Sequence, residues 1–168
     1  MELTTTLFLG GARSGKSRLA QAAAEACEGS LIYVATAEAG DEEMAARIAR
    51  HRADRGRRWT TVECPVELAD AIESYAGRPV LVDCLTLWLS NLMLAGHDVA
   101  GHVRALVDAM NGRRAPLFLV SNEIGLGLVP ETPLGRAFRD EAGRLNQAVA
   151  AAAENVLFVA AGLSLRMK

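Results

Sequence analysis

The sequence has little of several features that mark common protein classes. It carries only three cysteines among 168 residues, and Cys27, Cys64 and Cys84 lie far apart. This number and spacing fit neither a disulfide framework nor a C-x-x-C metal site, and they predict reduced thiols in a cytoplasmic protein. No apolar run reaches the roughly 20 residues that cross a bilayer. No basic segment precedes the first apolar run, so we expect neither a membrane span nor a secretory signal.

Charge of one sign is not in excess either. The formal net charge is −2, which predicts no general attraction to nucleic acid or to an anionic membrane. The exception is local, because arginines are concentrated between Arg47 and Arg58. Repeats and low-complexity tracts are also missing, and 51% of the residues are hydrophobic. We therefore expect one globular domain that spans residues 1–168.

What the sequence does contain is an alternation of apolar strand-like runs with helical segments. Strands are predicted at 5–11, 31–36, 59–63, 79–85, 115–123 and 155–162, with a further short one in the last six residues. Helices are predicted at 16–27, 41–53, 65–75, 86–94 and 133–154, the last with Thr132 as its N-cap and Pro133 at its first position. The run at 59–63 is short and alternating, which is typical of an edge strand. This pattern predicts an α/β fold with a mostly parallel sheet covered by helices on both faces.

A phosphate-binding motif follows the first predicted strand and opens a helix. "GGARSGKS" satisfies G-x-x-x-x-G-K-[ST], and its backbone N–H groups and helix N-terminus can surround phosphate oxygens. The lysine reaches the outer phosphates, and the final hydroxyl can bind Mg²⁺. The motif predicts a P-loop that binds a nucleoside triphosphate through Gly10, Gly11, Ala12, Arg13, Ser14, Gly15, Lys16 and Ser17.

Two other strand ends carry polar residues of interest. Asp83 ends "PVLVD" and is a candidate Mg²⁺ ligand, directly or through water, although a strand-end aspartate can also cap the next helix. Asn122 and Glu123 end the strand at 115–123 and open a glycine-containing loop, which is either a substrate loop or a long turn. The N-K-x-D motif of G proteins is missing, so a regulatory GTPase is not expected.

Several segments together carry a more specific resemblance. "GGARSGKSR", "YVAT", "DEEMAARIARHR", "CLTLWLSNL", "SNEIGLGLVPETPLGRAFRDEAGRLNQ" and "VAAG" occur in this order and nearly fill the chain. In this combination the sequence resembles the bifunctional adenosylcobinamide kinase / adenosylcobinamide-phosphate guanylyltransferase family of cobalamin biosynthesis. The P-loop alone is generic, whereas E-M-x-x-R-I-x-x-H combined with N-E-x-G-x-G-x-V-P is specific.

The resemblance implies a RecA-like P-loop NTPase fold, a trimeric assembly and a two-step reaction. Adenosylcobinamide is phosphorylated first, and GMP is then transferred from GTP to adenosylcobinamide phosphate through a guanylylated histidine. The matching histidine is His51, and Lys16 is the second candidate catalytic residue. The resemblance also implies contacts with GTP at the P-loop and at Ala35, Thr36, Ala37, Arg52, Ala53, Asp54, Arg55, Glu63 and Asp83. It leaves open whether ATP or GTP supplies the kinase step.

The chemistry of His51 is consistent with this role. A neutral imidazole, with an ordinary pKa of about 6.5, is a good nucleophile near neutral pH. Arg50, Arg52 and Arg55 could stabilise the charge that develops on the phosphoryl oxygens. Taken alone, the same histidine would fit a solvated residue on a basic helix. Two other functions remain open: a P-loop small-molecule kinase without nucleotidyl transfer, and a RecA-like assembly module without enzymatic activity.

Overall fold

The structure, a computed structural model, describes residues 4–37 and 56–168, and within them it has seven strands and five helices. The strands are β1 (Thr5–Gly10), β2 (Leu31–Ala35), β3 (Trp59–Glu63), β4 (Val80–Asp83), β5 (Leu117–Asn122), β6 (Asn155–Ala160) and β7 (Leu163–Arg166). The helices are α1 (Lys16–Glu25), α2 (Leu68–Ser74), α3 (Leu85–Leu94), α4 (Val99–Asn111) and α5 (Pro133–Ala152). The predicted helix at 41–53 lies outside the described residues.

The strands form one sheet in the order β3-β2-β4-β5-β1-β6-β7. All neighbouring pairs are parallel except β6 and β7, which are antiparallel. The predicted mostly parallel sheet is therefore confirmed, and β3 lies at its edge as expected. Ala35 at the end of β2 is in register with Glu63 and Asp83, and Gly10 is in register with Asn122. The carboxyl ends of the parallel strands thus meet at one edge of the sheet.

Both faces of the sheet are covered. Because side chains alternate along a strand, consecutive residues Leu7 and Phe8 of β1 belong to two different apolar clusters. Phe8 packs in the cluster that contains Ala20 and Ala24 of α1. Leu7 belongs to the larger cluster, to which α2, α3, α4 and α5 contribute, with Trp88 at 1% exposure. Because the alanine side chains are small, α1 can pack close to the sheet. This packing holds the helix that follows the P-loop in place.

Helix α5 begins where the sequence predicts. The Thr132 hydroxyl oxygen accepts a hydrogen bond from the Gly135 N–H at 3.0 Å, and Pro133 takes the first helical position. Leu145 and Val149 are buried, but Leu134 of the same expected stripe is 57% exposed. The helix ends at Ala152, two residues before the predicted end.

Two helices differ from expectation. Helix α2 begins at Leu68 rather than at residue 65, because the carbonyl oxygens of Pro65 and Val66 accept hydrogen bonds from side chains of α3. The sequence pattern does not predict helix α4, which begins after Asp98, whose carboxylate accepts a hydrogen bond from the Gly101 N–H at 3.0 Å.

The three cysteines are buried, and none of them is paired in a disulfide bond. Within residues 4–37 and 56–168, none of the helices combines the length and the apolar character that crossing a bilayer requires.

Candidate functional site

The P-loop joins β1 to α1 at the carboxyl edge of the sheet. The two glycine positions of the motif, Gly10 and Gly15, need glycine for different reasons. A Cβ atom on Gly10 would lie 2.3 Å from the carbonyl oxygen of Val159, and Gly15, the N-cap of α1, has a φ of 95°. Gly15 also passes close to Gly162 of the β6–β7 turn, whose N–H donates to the Ser14 carbonyl oxygen at 2.8 Å. The neighbouring β6–β7 turn therefore supports the loop from one side.

The polar groups of the loop are arranged to receive an anion. Lys16 is only 8% exposed, and its Nζ donates a hydrogen bond to the Gly11 carbonyl oxygen at 2.9 Å. Burial lowers the pKa of the Lys16 ammonium from its ordinary value, while nearby Cys84 and Asp83 act in the opposite direction. The buried Ser14 Oγ makes no hydrogen bond to any described residue. A buried cation and an unpaired hydroxyl at a helix N-terminus fit a phosphate group.

Asp83 lies at the end of β4, with only β5 between it and the P-loop strand β1. Its Oδ2 accepts a hydrogen bond from the Tyr33 hydroxyl at 3.2 Å. Ser17 is exposed in the first turn of α1. Within the described residues, no group of three or more His, Cys, Asp or Glu could hold a metal ion by itself. The oxygen atoms of Asp83 and Ser17 are donors of the type that Mg²⁺ binds when nucleotide phosphates complete its coordination.

The remaining described candidates lie at the ends of β2 and β3. Thr36 follows β2 and is fully buried. Its hydroxyl donates to the Cys84 carbonyl oxygen at 2.7 Å and accepts from the Cys84 N–H at 2.9 Å. Glu63 ends β3 with an exposed side chain, in register with Ala35. Ala37 follows Thr36 and is half-buried. These residues form a second wall of the site, which β4 and β5 separate from the P-loop strand β1.

The end of β5 lies between Asp83 and the P-loop. The Glu123 N–H donates to the Gly10 carbonyl oxygen at 3.0 Å. Buried Asn146 of α5 accepts from the Ser121 hydroxyl at 2.6 Å and donates to the Asn122 carbonyl oxygen at 3.1 Å. The loop after β5 therefore begins beside the phosphate cradle, which favours the substrate-loop interpretation over that of a long turn. In sequence, Asn146 lies 24 residues from Asn122, so the pattern gave no signal for this link.

Burial also affects the thiol that follows Asp83. Cys84 is 7% exposed, and burial together with the neighbouring Asp83 raises the pKa of its thiol. Backbone and side-chain hydrogen bonds at Leu87 and Thr86 act in the opposite direction. Cys84 is consequently a neutral thiol at physiological pH, with a structural place between the strand end and α3.

Comparison with known proteins decides the family. The model of the CobU family, described as cobinamide kinase / cobinamide phosphate guanyltransferase, matches residues 6–167. The chain belongs to this family. Within the CobU family, it is 49% identical to the bifunctional adenosylcobalamin biosynthesis protein CobP of Pseudomonas aeruginosa, over 96% of each chain. It is 38% identical to the bifunctional adenosylcobalamin biosynthesis protein CobU of Escherichia coli, over 96% of this chain and 98% of that protein.

Solved structures support the fold of this CobU-family chain. It is similar to the P4 protein of bacteriophage phi6 in complex with ADP, with a TM-score of 0.53 and 19% sequence identity. The match covers 96% of this chain and 54% of that one, so the chain spans about half the length of the P4 protein. The expected α/β fold, a mostly parallel sheet with helices on both faces, is confirmed, and it is shared with the P4 protein.

Five of the expected site residues of this CobU-family chain lie outside the described residues. They are His51 and the four that follow it, namely Arg52, Ala53, Asp54 and Arg55. The other candidates are described, and the structure brings the P-loop residues, Asp83 and Thr36 to one edge of the sheet.

Proposed function

We propose that this protein phosphorylates adenosylcobinamide and then transfers GMP from GTP to adenosylcobinamide phosphate. The products of the second step are adenosylcobinamide-GDP and pyrophosphate. The observation that carries the proposal is the P-loop cradle with buried Lys16 and unpaired Ser14 Oγ, found in a chain that a cobinamide kinase / cobinamide phosphate guanyltransferase model matches over residues 6–167.

The kinase step uses the P-loop. The hydroxyl of the cobinamide side arm attacks the γ-phosphorus of ATP or GTP and releases its proton to solvent. The bond from the γ-phosphorus to the bridging β-phosphate oxygen breaks, and the nucleoside diphosphate leaves. Lys16 and the N–H groups at the start of α1 stabilise the negative charge on the transferring group. Ser17 and Asp83 would hold Mg²⁺, which supplies further neutralisation of the phosphate charges.

The transfer step uses His51 as a covalent carrier. A neutral ring nitrogen attacks the α-phosphorus of GTP, a P–N bond forms, and the bond to the leaving pyrophosphate breaks. A phosphate oxygen of adenosylcobinamide phosphate then attacks the same phosphorus, so that the P–N bond breaks and the imidazole is restored. Arg52 and Arg55 stabilise the charge on the phosphoryl oxygens, while residues 35–37, 52–55, Glu63 and Asp83 bind the nucleotide.

The proposal extends to the assembly and location of the protein. We place residues 1–168 in one domain of a cytoplasmic homo-oligomer, a trimer by resemblance to the family. Large apolar side chains on the loop after β5 support an oligomer or a bound partner, since Leu126 is 82% and Leu128 is 96% exposed. Light scattering of the purified protein tests the subunit number.

The intact mass of the protein after incubation with GTP and Mg²⁺ tests the proposed transfer. We expect an increase of one GMP that is stable in alkali and lost in acid, as is typical of a phosphoramidate. The His51→Ala variant should show no increase and should keep its kinase turnover. No mass increase in the wild type would favour a P-loop kinase without nucleotidyl transfer, and DNA retention on nitrocellulose would favour a RecA-like assembly module.

A further inference from the structure

The side chain of Asn91, in the middle of α3, links two loops that are far apart in sequence. Its Nδ2 donates hydrogen bonds to the carbonyl oxygen of Thr36 at 2.8 Å and to that of Pro65 at 3.0 Å. Because both partners are acceptors, they define which end of the amide carries the hydrogens. The Asn91 side chain is half-buried, and the N–H groups of its amide donate to these two carbonyl oxygens.

The two carbonyls lie just beyond the ends of neighbouring strands. Thr36 follows β2 and Pro65 comes shortly after β3, and the two strands are in register at their ends. The Thr36 hydroxyl in turn binds both backbone polar groups of Cys84, just beyond β4. Asn91 and Thr36 therefore connect the exits of β2, β3 and β4, which are adjacent in the sheet.

These three exits carry the described nucleotide candidates that lie outside the P-loop. Ala35 and Ala37 have no polar side chain with which to hold their own backbone in place, and Glu63 is exposed at the sheet edge. The sheet sets this spacing as far as the Cys64 N–H, which donates to the Ala35 carbonyl oxygen at 2.8 Å. Beyond that bond, the positions of Thr36 and Ala37 depend on groups that lie behind them. Asn91 is the side chain that bonds to both the β2 exit and the β3 exit.

The P-loop is held by a different set of contacts. The Ser14 carbonyl oxygen accepts from the Gly162 N–H at 2.8 Å, and the Gly10 carbonyl oxygen accepts from the Glu123 N–H at 3.0 Å. Neither contact involves α3. A change at Asn91 should therefore disturb the wall formed by β2 and β3 and leave the phosphate cradle intact.

We propose that Asn91 is a positioning residue for the guanosine part of the nucleotide. It holds Thr36 and the adjoining Ala37 at the distance from the β3 exit that the bound nucleoside requires, without touching the nucleotide itself. This inference rests on the proposed function, which assigns these residues to GTP. A shift of about 1 Å in a binding group is enough for a large loss of function.

The variant Asn91→Asp tests the proposal, because it has the same size and replaces both donors with an acceptor. At pH 8 the carboxylate faces two carbonyl oxygens, and we expect the Kd of GDP, measured by calorimetry, to rise about tenfold. The Kd of inorganic triphosphate, which needs only the cradle, should change less than about twofold. The GDP defect relative to wild type should shrink at pH 6, because a protonated Asp side chain can donate again.

Ser90→Ala is the matched control, since Ser90 is the neighbouring position on α3 and lines an apolar pocket with Met93 and Phe138. It should bind both ligands as the wild type does. If Asn91→Asp does not fold, Asn91→Ser retains one short donor and provides the same comparison. Unchanged GDP binding in a folded variant, or equal weakening of GDP and triphosphate, would overturn the proposal.

Failure of this inference can be told apart from failure of the proposed function. If wild-type protein gains no GMP from GTP, the proposed transfer fails, and the GDP comparison still measures the role of Asn91 in the nucleoside site. If the wild type gains GMP while Asn91→Asp binds GDP normally, only the positioning role is refuted.

Discussion

Replacement of Thr36 by valine is expected to destabilise the fold through one identifiable group. Valine has nearly the same shape, so the change removes the hydroxyl from a fully buried position. The Cys84 carbonyl oxygen keeps a partner, because it also accepts from the Trp88 N–H at 3.2 Å. The Cys84 N–H, however, loses its bond of 2.9 Å to Thr36 Oγ1.

The expected magnitude follows from that imbalance. A buried donor without a partner costs about 1–3 kcal/mol, so we expect Thr36→Val to lower the free energy of unfolding by about 2 kcal/mol. This is a substantial part of the free energy of unfolding of a whole domain, which is typically about 5–15 kcal/mol. Urea unfolding followed by circular dichroism measures the difference.

Thr36→Ser provides the control, because it keeps the hydroxyl and removes one methyl group. Its cost should be near 1 kcal/mol, about that of losing one buried methyl. If the free energy of unfolding of Thr36→Val lies within about 0.5 kcal/mol of the wild-type value, the hydroxyl does not satisfy the Cys84 N–H and the reasoning is wrong.

Three further predictions concern the P-loop, the buried thiol and α5. Lys16→Met should lower kinase kcat/KM by about 100-fold or more. It should not lower Tm, because burial of the ammonium is unfavourable. Arg18→Met, at an exposed position, is the control, and unaltered turnover of Lys16→Met would contradict the role of Lys16. The pKa of the Cys84 thiol is higher in the folded protein than the 9.0 of the unfolded chain. Its contribution to stability is therefore fully present below pH 9.0 and is lost as the pH rises through the pKa of the folded state. Urea unfolding should therefore show wild type losing stability relative to Cys84→Ala between pH 8 and about pH 10, and a constant gap would refute it. Thr132→Ala should cost about 1 kcal/mol in the same assay, and no change would mean that the cap is not needed.

The sequence predicts those structural features whose characteristic residues are consecutive in the chain. The P-loop motif identifies the β1–α1 junction, and Thr132 followed by Pro133 identifies the start of α5, where the Thr132 cap is observed. In both cases, the residues that form the structure are neighbours in the chain. Such features can be predicted because the signal that identifies them lies in consecutive residues, although distant groups such as Val159 and Gly162 also pack against the P-loop.

Two helix positions that the sequence does not predict depend either on contacts between distant residues or on a pattern that one residue interrupts. Helix α2 starts late because Trp88 and Asn91 bind the carbonyl oxygens of Val66 and Pro65, over 22 and 26 residues. In α4, Gly101 weakens the helical pattern, although the spacing of Val103, Leu106 and Met110 after the Asp98 cap was a usable signal.

The same distinction applies to the candidate site. The residue types at the P-loop and at Asp83 predict phosphate and Mg²⁺ binding from the sequence alone. The links from Thr36 to Cys84 and from Asn146 to the end of β5 span 48 and 24 residues or more, and only the fold brings these groups together.

A pulse–chase experiment tests the central claim, transfer of GMP through His51, most directly. The protein is loaded with labelled GTP and freed of nucleotide, and adenosylcobinamide phosphate is then added in a single turnover. We predict that the bound label moves to adenosylcobinamide-GDP as fast as the steady-state reaction requires, and that His51→Asn neither takes up label nor forms product. Formation of adenosylcobinamide-GDP by His51→Asn at the wild-type rate would contradict the account.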